Sequence, residues 1–128
     1  MPRIMHFEIH ATQPQVLIDF YSQLFGWTFS QFSGMEYWLI YTGPEQQPGI
    51  NGGLLKRPCA KSGDPASMNA FVCTAQVDSL DDTLSRATAL GARIALPKMA
   101  VPGVGWLAYI LDPDDNTLGM MQFDEKAK

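Results

Sequence analysis

The sequence has few of the residues that build several common kinds of site. Its 128 residues include two histidines and two cysteines, and Cys59 and Cys73 do not have CxxC spacing. No zinc-binding cysteine set is therefore present. Lysine and arginine number 9 against 13 aspartates and glutamates, and they are scattered along the chain. Because nucleic acid binding needs a concentrated basic face, the composition argues against it.

Long apolar runs are lacking as well. No stretch approaches the roughly 18 apolar residues of a membrane span, and MPRIMHFEIHA at the N-terminus has no continuous signal-peptide core. We expect a cytoplasmic protein whose cysteines stay reduced, with a disulfide as the less favoured alternative. Apolar residues make up 46% of the chain, which is typical of a folded domain with a sizeable core.

Polar and apolar residues alternate in the stretch HFEIH at residues 6–10. Successive side chains of a β-strand point to opposite faces, so His6, Glu8 and His10 would share one face. Histidine and carboxylate are ligands that catalytic metal sites prefer. Residues four apart on a strand are separated by about 13 Å, so one ion could bind only two neighbours of the three. The stretch is a partial metal site, a histidine base beside a carboxylate, or a polar strip.

Residues 1–56 predict a strand, a helix and three further strands. The helix begins at Pro14, which suits a first helical turn, and ends at Gly26. Its apolar stripe consists of Val16, Leu17, Phe20, Tyr21 and Leu24. Residues 57–67 are rich in proline, glycine and serine, so we predict an exposed connection there.

Residues 68–124 repeat the same order of elements. The second helix has Asp78 or Ser79 as its N-cap and ends at Gly91. The segment KMAVPGVGW at 98–106 is predicted as an ordered connection, with a lid as the alternative.

Sequence similarity between the halves supports a duplication. YWLIYTGP at 37–44 and GWLAYILDP at 105–113 share Trp-Leu-x-Tyr. We predict one α+β domain over residues 1–128, in which two tandem βαβββ modules form a curved, mostly antiparallel sheet trough. Phe7 and Ile9 would pack on the first helix, which turns the polar side of HFEIH toward the trough.

Three segments carry a resemblance to a known superfamily: His6 followed by DFYSQLFGW at 19–27, VDSLDDTLSRATALGA at 77–92, and LDPDDNTLGMMQ at 111–122. In this order they resemble the vicinal oxygen chelate superfamily, which includes glyoxalase I, bleomycin-resistance proteins and extradiol dioxygenases. The resemblance covers essentially the whole chain and implies a homodimer. It leaves the reaction open, because this fold hosts isomerases, dioxygenases and drug-binding proteins.

The superfamily's metal enzymes take ligands from the first and last strand of each module. By resemblance these positions fall on His6, on Gly52 or Gly53, on Asn69 or Phe71, and on Gly119. One ligand is retained and both carboxylates are replaced by glycine. We therefore expect no cofactor and no metal, with a divalent ion at an atypical site as the alternative.

We predict a glyoxalase/bleomycin-resistance-like protein that binds a small, partly aromatic or apolar molecule in its trough. The expected ligand-binding residues are His6, Glu8, His10, Trp38, Asn51, Asn69, Trp106 and Met121. Strand parity leaves open whether Tyr37 or Trp38 faces the trough. The alternative is a glyoxalase-like lyase or isomerase, or a dioxygenase-type enzyme, with His6 and Glu8 as catalytic residues.

Overall fold

The computed structural model describes residues 1–58, 70–113 and 116–128, and the chain divides into two compact units. The N-terminal unit is His6–Phe71, and the C-terminal unit is Met1–Met5 together with Val72–Lys128. The elements are β1 (Arg3–Ala11), α1 (Pro14–Phe25), β2 (Thr28–Gln31), β3 (Tyr37–Tyr41), β4 (Gly52–Lys56), β5 (Val72–Gln76), α2 (Leu80–Ala89), β6 (Arg93–Val101), β7 (Gly105–Leu111) and β8 (Thr117–Phe123).

The N-terminal unit is a mixed sheet with α1 packed against one face. Its strand order is β2-β3-β4-β1, in which β1 and β4 are parallel and the other pairs antiparallel. The buried core consists of Ile9, Ala11, Ile40 and Leu54, and Leu17, Ile18 and Tyr21 of α1 pack on it. Burial of these side chains supplies the main free energy that holds the helix on the sheet.

Aromatic contacts hold the C-terminal end of α1 in place. The ring of Trp27 stacks on Tyr21 with a centroid distance of 5.2 Å and lies 6.1 Å from Phe7 of β1. Gly26 ends the helix in the left-handed conformation, with φ 72°, and its N–H donates to the carbonyl of Ser22. Because Phe7 and Ile9 face α1, the alternating residues of β1 face away from the helix.

The C-terminal unit has the strand order β5-β8-β7-β6, with β5 and β8 parallel. Ser79 is the N-cap of α2, because its hydroxyl accepts a hydrogen bond from the N–H of Asp82 at 3.3 Å. The buried core under α2 consists of Val77, Leu80, Ala92, Ala108, Ile110 and Met120.

The two units have the same strand register as well as the same order of elements. Phe7 pairs with Gly52 in the N-terminal unit, and Cys73 pairs with Leu118 in the C-terminal unit. In each pair the two residues are 45 positions apart in the sequence (52 − 7 and 118 − 73). The α+β class and the tandem βαβββ modules predicted from the sequence are confirmed.

Two local predictions differ from the structure. In α1, Val16, Phe20 and Leu24 are more than half exposed, because the sheet covers only the flank that carries Leu17 and Tyr21.

No helix among the described residues is both long and apolar enough to cross a membrane.

The second difference concerns residues 98–106, for which a lid was the alternative. Residues 98–101 belong to β6, which pairs with β7, and a short turn at 102–104 joins these two strands. Pro97 is accommodated because β6 is the last strand in the order of its unit and shifts register on both sides of Leu96.

We expect Leu54→Ala to lower the free energy of unfolding by about 2–5 kcal/mol, because Leu54 is fully buried and truncation leaves a cavity. The control is Leu24→Ala, at a leucine that is 56% exposed in the same unit, with an expected loss under about 1 kcal/mol. Urea unfolding measures both. Equal losses would contradict the position of the core.

Candidate ligand-binding site

Tyr37 joins His6 and Glu8 into one hydrogen-bonded chain. Its hydroxyl donates to Oε2 of Glu8 at 2.9 Å and lies 2.9 Å from Nε2 of His6. Glu8 is only 6% exposed, so the phenol replaces water that the buried carboxylate has lost. Contrary to the sequence expectation, Trp38 packs on the core beneath α1, and Tyr37 takes the position beside His6.

Gly53 provides the space that the ring of Tyr37 fills. Gly53 is the β4 partner of Glu8, and a Cβ on it would overlap the phenol oxygen and ring of Tyr37. A side chain at Gly53 and the observed position of Tyr37 are therefore mutually exclusive. Gly52 points the other way, because a Cβ there would meet the backbone and ring of Phe7.

The surface around this chain is apolar. We call it the His6 face, and strand alternation assigns to it His6, Glu8, His10, Tyr37, Leu39, Tyr41, Gly53 and Leu55. Leu39 and Tyr41 are 46% and 51% exposed. The face thus places exposed apolar side chains beside a small polar group, which is the usual composition of a small-molecule site.

His10 lies on the same face but outside the hydrogen-bonded chain. Among the described residues its side chain makes no hydrogen bond, while its carbonyl accepts one from Nη2 of Arg57 at 3.0 Å. The structure therefore joins His6 and Glu8 through the side chain of Tyr37 and leaves His10 apart from them.

The environment of His6 favours its neutral form. Burial lowers the pKa of His6 below its ordinary value of 6.5, and the nearby carboxylate of Glu8 opposes this only in part. At neutral pH the imidazole is thus uncharged, with one nitrogen carrying a proton and the other a lone pair.

Of the two asparagines that the sequence predicted to bind a ligand, the structure describes only Asn51. Oδ1 of Asn51 accepts a hydrogen bond from the backbone N–H of Thr42 at 2.9 Å, so this side chain closes the loop between β3 and β4. Asn69 lies outside the described residues.

Two further predicted residues belong to the C-terminal unit. Trp106 lies on the side of α2, contrary to expectation, where its indole N–H donates to Asp124 at 3.1 Å and Lys98 lies 4.9 Å from the ring centroid. Met121 is half-buried and follows the core residue Met120, so it faces away from the helix as expected.

Comparison with known proteins bears on the fold and not on a sequence family. No protein-family model and no curated protein matches the sequence. Solved structures do match. A glyoxalase/bleomycin resistance protein/dioxygenase superfamily member from Vibrio splendidus 12B01 is 13% identical, with a TM-score of 0.64 over 95% of this chain and 99% of that one. Methylmalonyl-CoA epimerase from Streptomyces coelicolor is 14% identical, with a TM-score of 0.63 over 98% of this chain and 97% of that one.

The chain has the vicinal oxygen chelate fold. A third similar structure with this fold is the Mn(II)-bound glyoxalase from Novosphingobium aromaticivorans, which is 14% identical with a TM-score of 0.62. The match covers 99% of the present chain and 41% of the glyoxalase chain. These identities show a common fold, and the chemistry has to be argued from the residues present.

The described residues at the expected ligand positions do not supply the three histidine or carboxylate ligands that a catalytic divalent metal needs. His6 and Glu8 both bond to Tyr37, and Gly53 has no room for a ligand side chain. In the C-terminal unit, the side chains nearest to Gly119 are those of Thr74 and Tyr109, neither of which is a histidine or a carboxylate. The described part of the chain contains no group of three or more histidine, cysteine, aspartate or glutamate side chains that could hold an ion.

The lowered pKa of His6 predicts a loss of stability on acidification. The unfolded chain binds a proton at His6 near pH 6.5 and the folded chain only at lower pH, so stability falls as the pH drops below 6.5. The fall ends below the folded pKa. Urea unfolding over a pH series should show this component in the protein and in His10→Gln, and should show it lost in His6→Gln. An unchanged pH dependence in His6→Gln would contradict the assignment.

Gly53→Ala should displace the ring of Tyr37 and lower the free energy of unfolding by about 1–3 kcal/mol, since the added methyl overlaps the phenol. The matched experiment is the same substitution in a Tyr37→Ala background, where the methyl has space and the loss should be smaller. A double-mutant cycle from urea unfolding measures this coupling. Additive losses would show that the two residues do not compete for space.

Proposed function

We propose that the protein binds a small, partly apolar molecule on the His6 face and does so without a divalent metal. The observation that carries this proposal is the hydrogen-bonded chain of His6, Tyr37 and Glu8 beside the exposed side chains of Leu39 and Tyr41. Polar groups of this kind orient a ligand, while apolar side chains supply the larger part of the binding free energy.

The apolar half of the face is suited to a flat or branched hydrocarbon group. Leu39 pairs with Gly53 across the sheet, and this glycine carries no side chain of its own. The ring of Tyr37 lies over this glycine, between Leu39 and Glu8. A ligand that covers Leu39 and this ring would reach the imidazole of His6 with a polar group.

The polar half is rigid because each member is held by another. Tyr37 is fixed by its two hydrogen bonds, and Glu8 is enclosed by the sheet at 6% exposure. A preorganised group costs less conformational entropy on binding than a mobile one, which favours affinity for a small molecule.

A second candidate function is a proton-transfer enzyme. The depressed pKa of His6 keeps its imidazole neutral at physiological pH, and a neutral imidazole is able to act as a general base. The carboxylate of Glu8 would stabilise the protonated histidine through Tyr37. Turnover of a bound compound, lost in His6→Gln with binding retained, would favour this function over simple binding.

The test of binding is an NMR fragment screen with small aromatic compounds and the ¹⁵N-labelled full chain. We expect shifted amide signals on β1, β3 and β4 around the His6 face. Leu39→Asp should weaken the affinity of the compounds found by tenfold or more, because a charge replaces the apolar contact and tenfold corresponds to about 1.4 kcal/mol.

The matched control is Leu24→Asp, at a leucine of similar exposure on α1 in the same unit. Its affinities should equal those of the unchanged protein. Compounds whose signals map to α1, or affinities that fall equally in both variants, would contradict the proposed site.

A further inference from the structure

The hydroxyl of Thr74 in β5 is nearly enclosed and has no hydrogen-bond partner among the described residues. Of the residues that the structure describes, Thr74 and Glu8 are the buried polar ones, at 3% and 6% exposure. Glu8 bonds to Tyr37, whereas the hydroxyl of Thr74 makes no such bond within the described chain. Because an unpaired buried hydroxyl is costly, this oxygen requires a partner from solution.

The oxygen of Thr74 is reachable from solution. Every fully enclosed side-chain oxygen or nitrogen of the described residues has a hydrogen-bond partner, so the unpartnered oxygen of Thr74 is not fully enclosed. Gly119 pairs with Thr74 across β5 and β8. A Cβ on Gly119 would lie 2.7 Å from that oxygen and 3.0 Å from the ring of Tyr109. The glycine therefore keeps open a space that any side chain would fill.

Large apolar side chains surround this oxygen. Ala108, Ile110 and Met120 belong to the core under α2, so the residues that alternate with them face away from the helix. Besides Thr74 and Gly119, strand pairing assigns to this surface, which we call the Thr74 face, Leu96, Met99, Leu107, Tyr109 and Met121.

The apolar part of the Thr74 face is partly open and adaptable. Leu96 and Met99 are 41% and 44% exposed. Methionine is unbranched and polarisable, so Met99 and Met121 are suited to ligands of different shapes. One hydrogen-bonding group enclosed by apolar side chains is the usual composition of a small-molecule site.

We propose that the Thr74 face of the C-terminal unit binds a small apolar molecule that carries a hydroxyl or carbonyl group. The oxygen of the ligand bonds to the hydroxyl of Thr74 over Gly119, and the apolar body covers Leu96 and Met99. A hydroxyl both donates and accepts, so an alcohol and a ketone are equally suited to it. This site goes beyond the proposed function, because it uses none of the residues of the His6 face.

Binding is tested with three probes that share one carbon skeleton: 1-phenylethanol, acetophenone and ethylbenzene, of which the last lacks an oxygen. The full chain is labelled with ¹³C in its methionine methyl groups, and Met99→Leu and Met121→Leu assign two of the signals. We expect both oxygen-bearing probes to shift the signals of Met99 and Met121. If no probe shifts them, the proposal is overturned.

The role of the hydroxyl is measured with two substitutions of similar size. Thr74→Val removes the hydroxyl, while Thr74→Ser keeps it. The affinity of acetophenone relative to that of ethylbenzene should fall by about threefold or more in Thr74→Val and stay within about twofold in Thr74→Ser, since only the first variant loses the hydrogen bond. An unchanged ratio in Thr74→Val, or an equal fall in both variants, would overturn the proposal.

The same titrations separate this inference from the proposed function. Methionine shifts without amide shifts on β1, β3 and β4 would support the Thr74 face and give the His6 face no support. Amide shifts on those three strands without methionine shifts would support the proposed function and overturn the present inference. The unchanged protein suffices for both measurements, so neither depends on whether a variant folds.

Discussion

The candidate site depends on one interaction, the hydrogen bond from Tyr37 to the buried carboxylate of Glu8. A carboxylate at 6% exposure is costly unless a donor replaces the water it has lost. Tyr37 is one such donor, and it reaches Glu8 only because Gly53 has no side chain. The same contact engages His6 and leaves no position for a ligand from Gly53. One phenol thus bonds to a buried carboxylate and to a histidine, and it fills the space over Gly53.

His6 and Glu8 lie on the same face as Gly53 because of the way α1 packs on the sheet. Phe7 and Ile9 face the helix, so His6 and Glu8 must face away from it, and the parallel register of β1 and β4 then places Gly53 beside Glu8. The C-terminal unit has the same strand order and the same 45-residue spacing between paired strands, yet Thr74 stands opposite its glycine. The two units therefore share a backbone plan and differ in the chemistry of one face.

Much of this arrangement could be predicted from the sequence because it follows from local rules. Pro14, Gly26 and Ser79 mark helix ends through steric and capping effects, and the alternation of HFEIH assigns its residues to two faces. The choice between Tyr37 and Trp38 could not be made in this way. YWLIY is apolar or aromatic on both faces, and its orientation depends on pairing with β4, a contact distant in sequence. The available signal was Gly53, which lies diagonal to Tyr37 on the neighbouring strand. This relation can be recognised only when the register of β3 and β4 is known. Trp106 was misplaced for the same reason, since its strand also carries large apolar residues on both sides.

The proposal that the His6 face binds its ligand without a divalent metal is tested most directly by elemental analysis. The full chain would be purified without a nickel column or chelator and its divalent metals measured per chain. We expect that no divalent metal is bound in a stoichiometric amount. One ion per chain, lost in His6→Ala or Glu8→Ala, would contradict it.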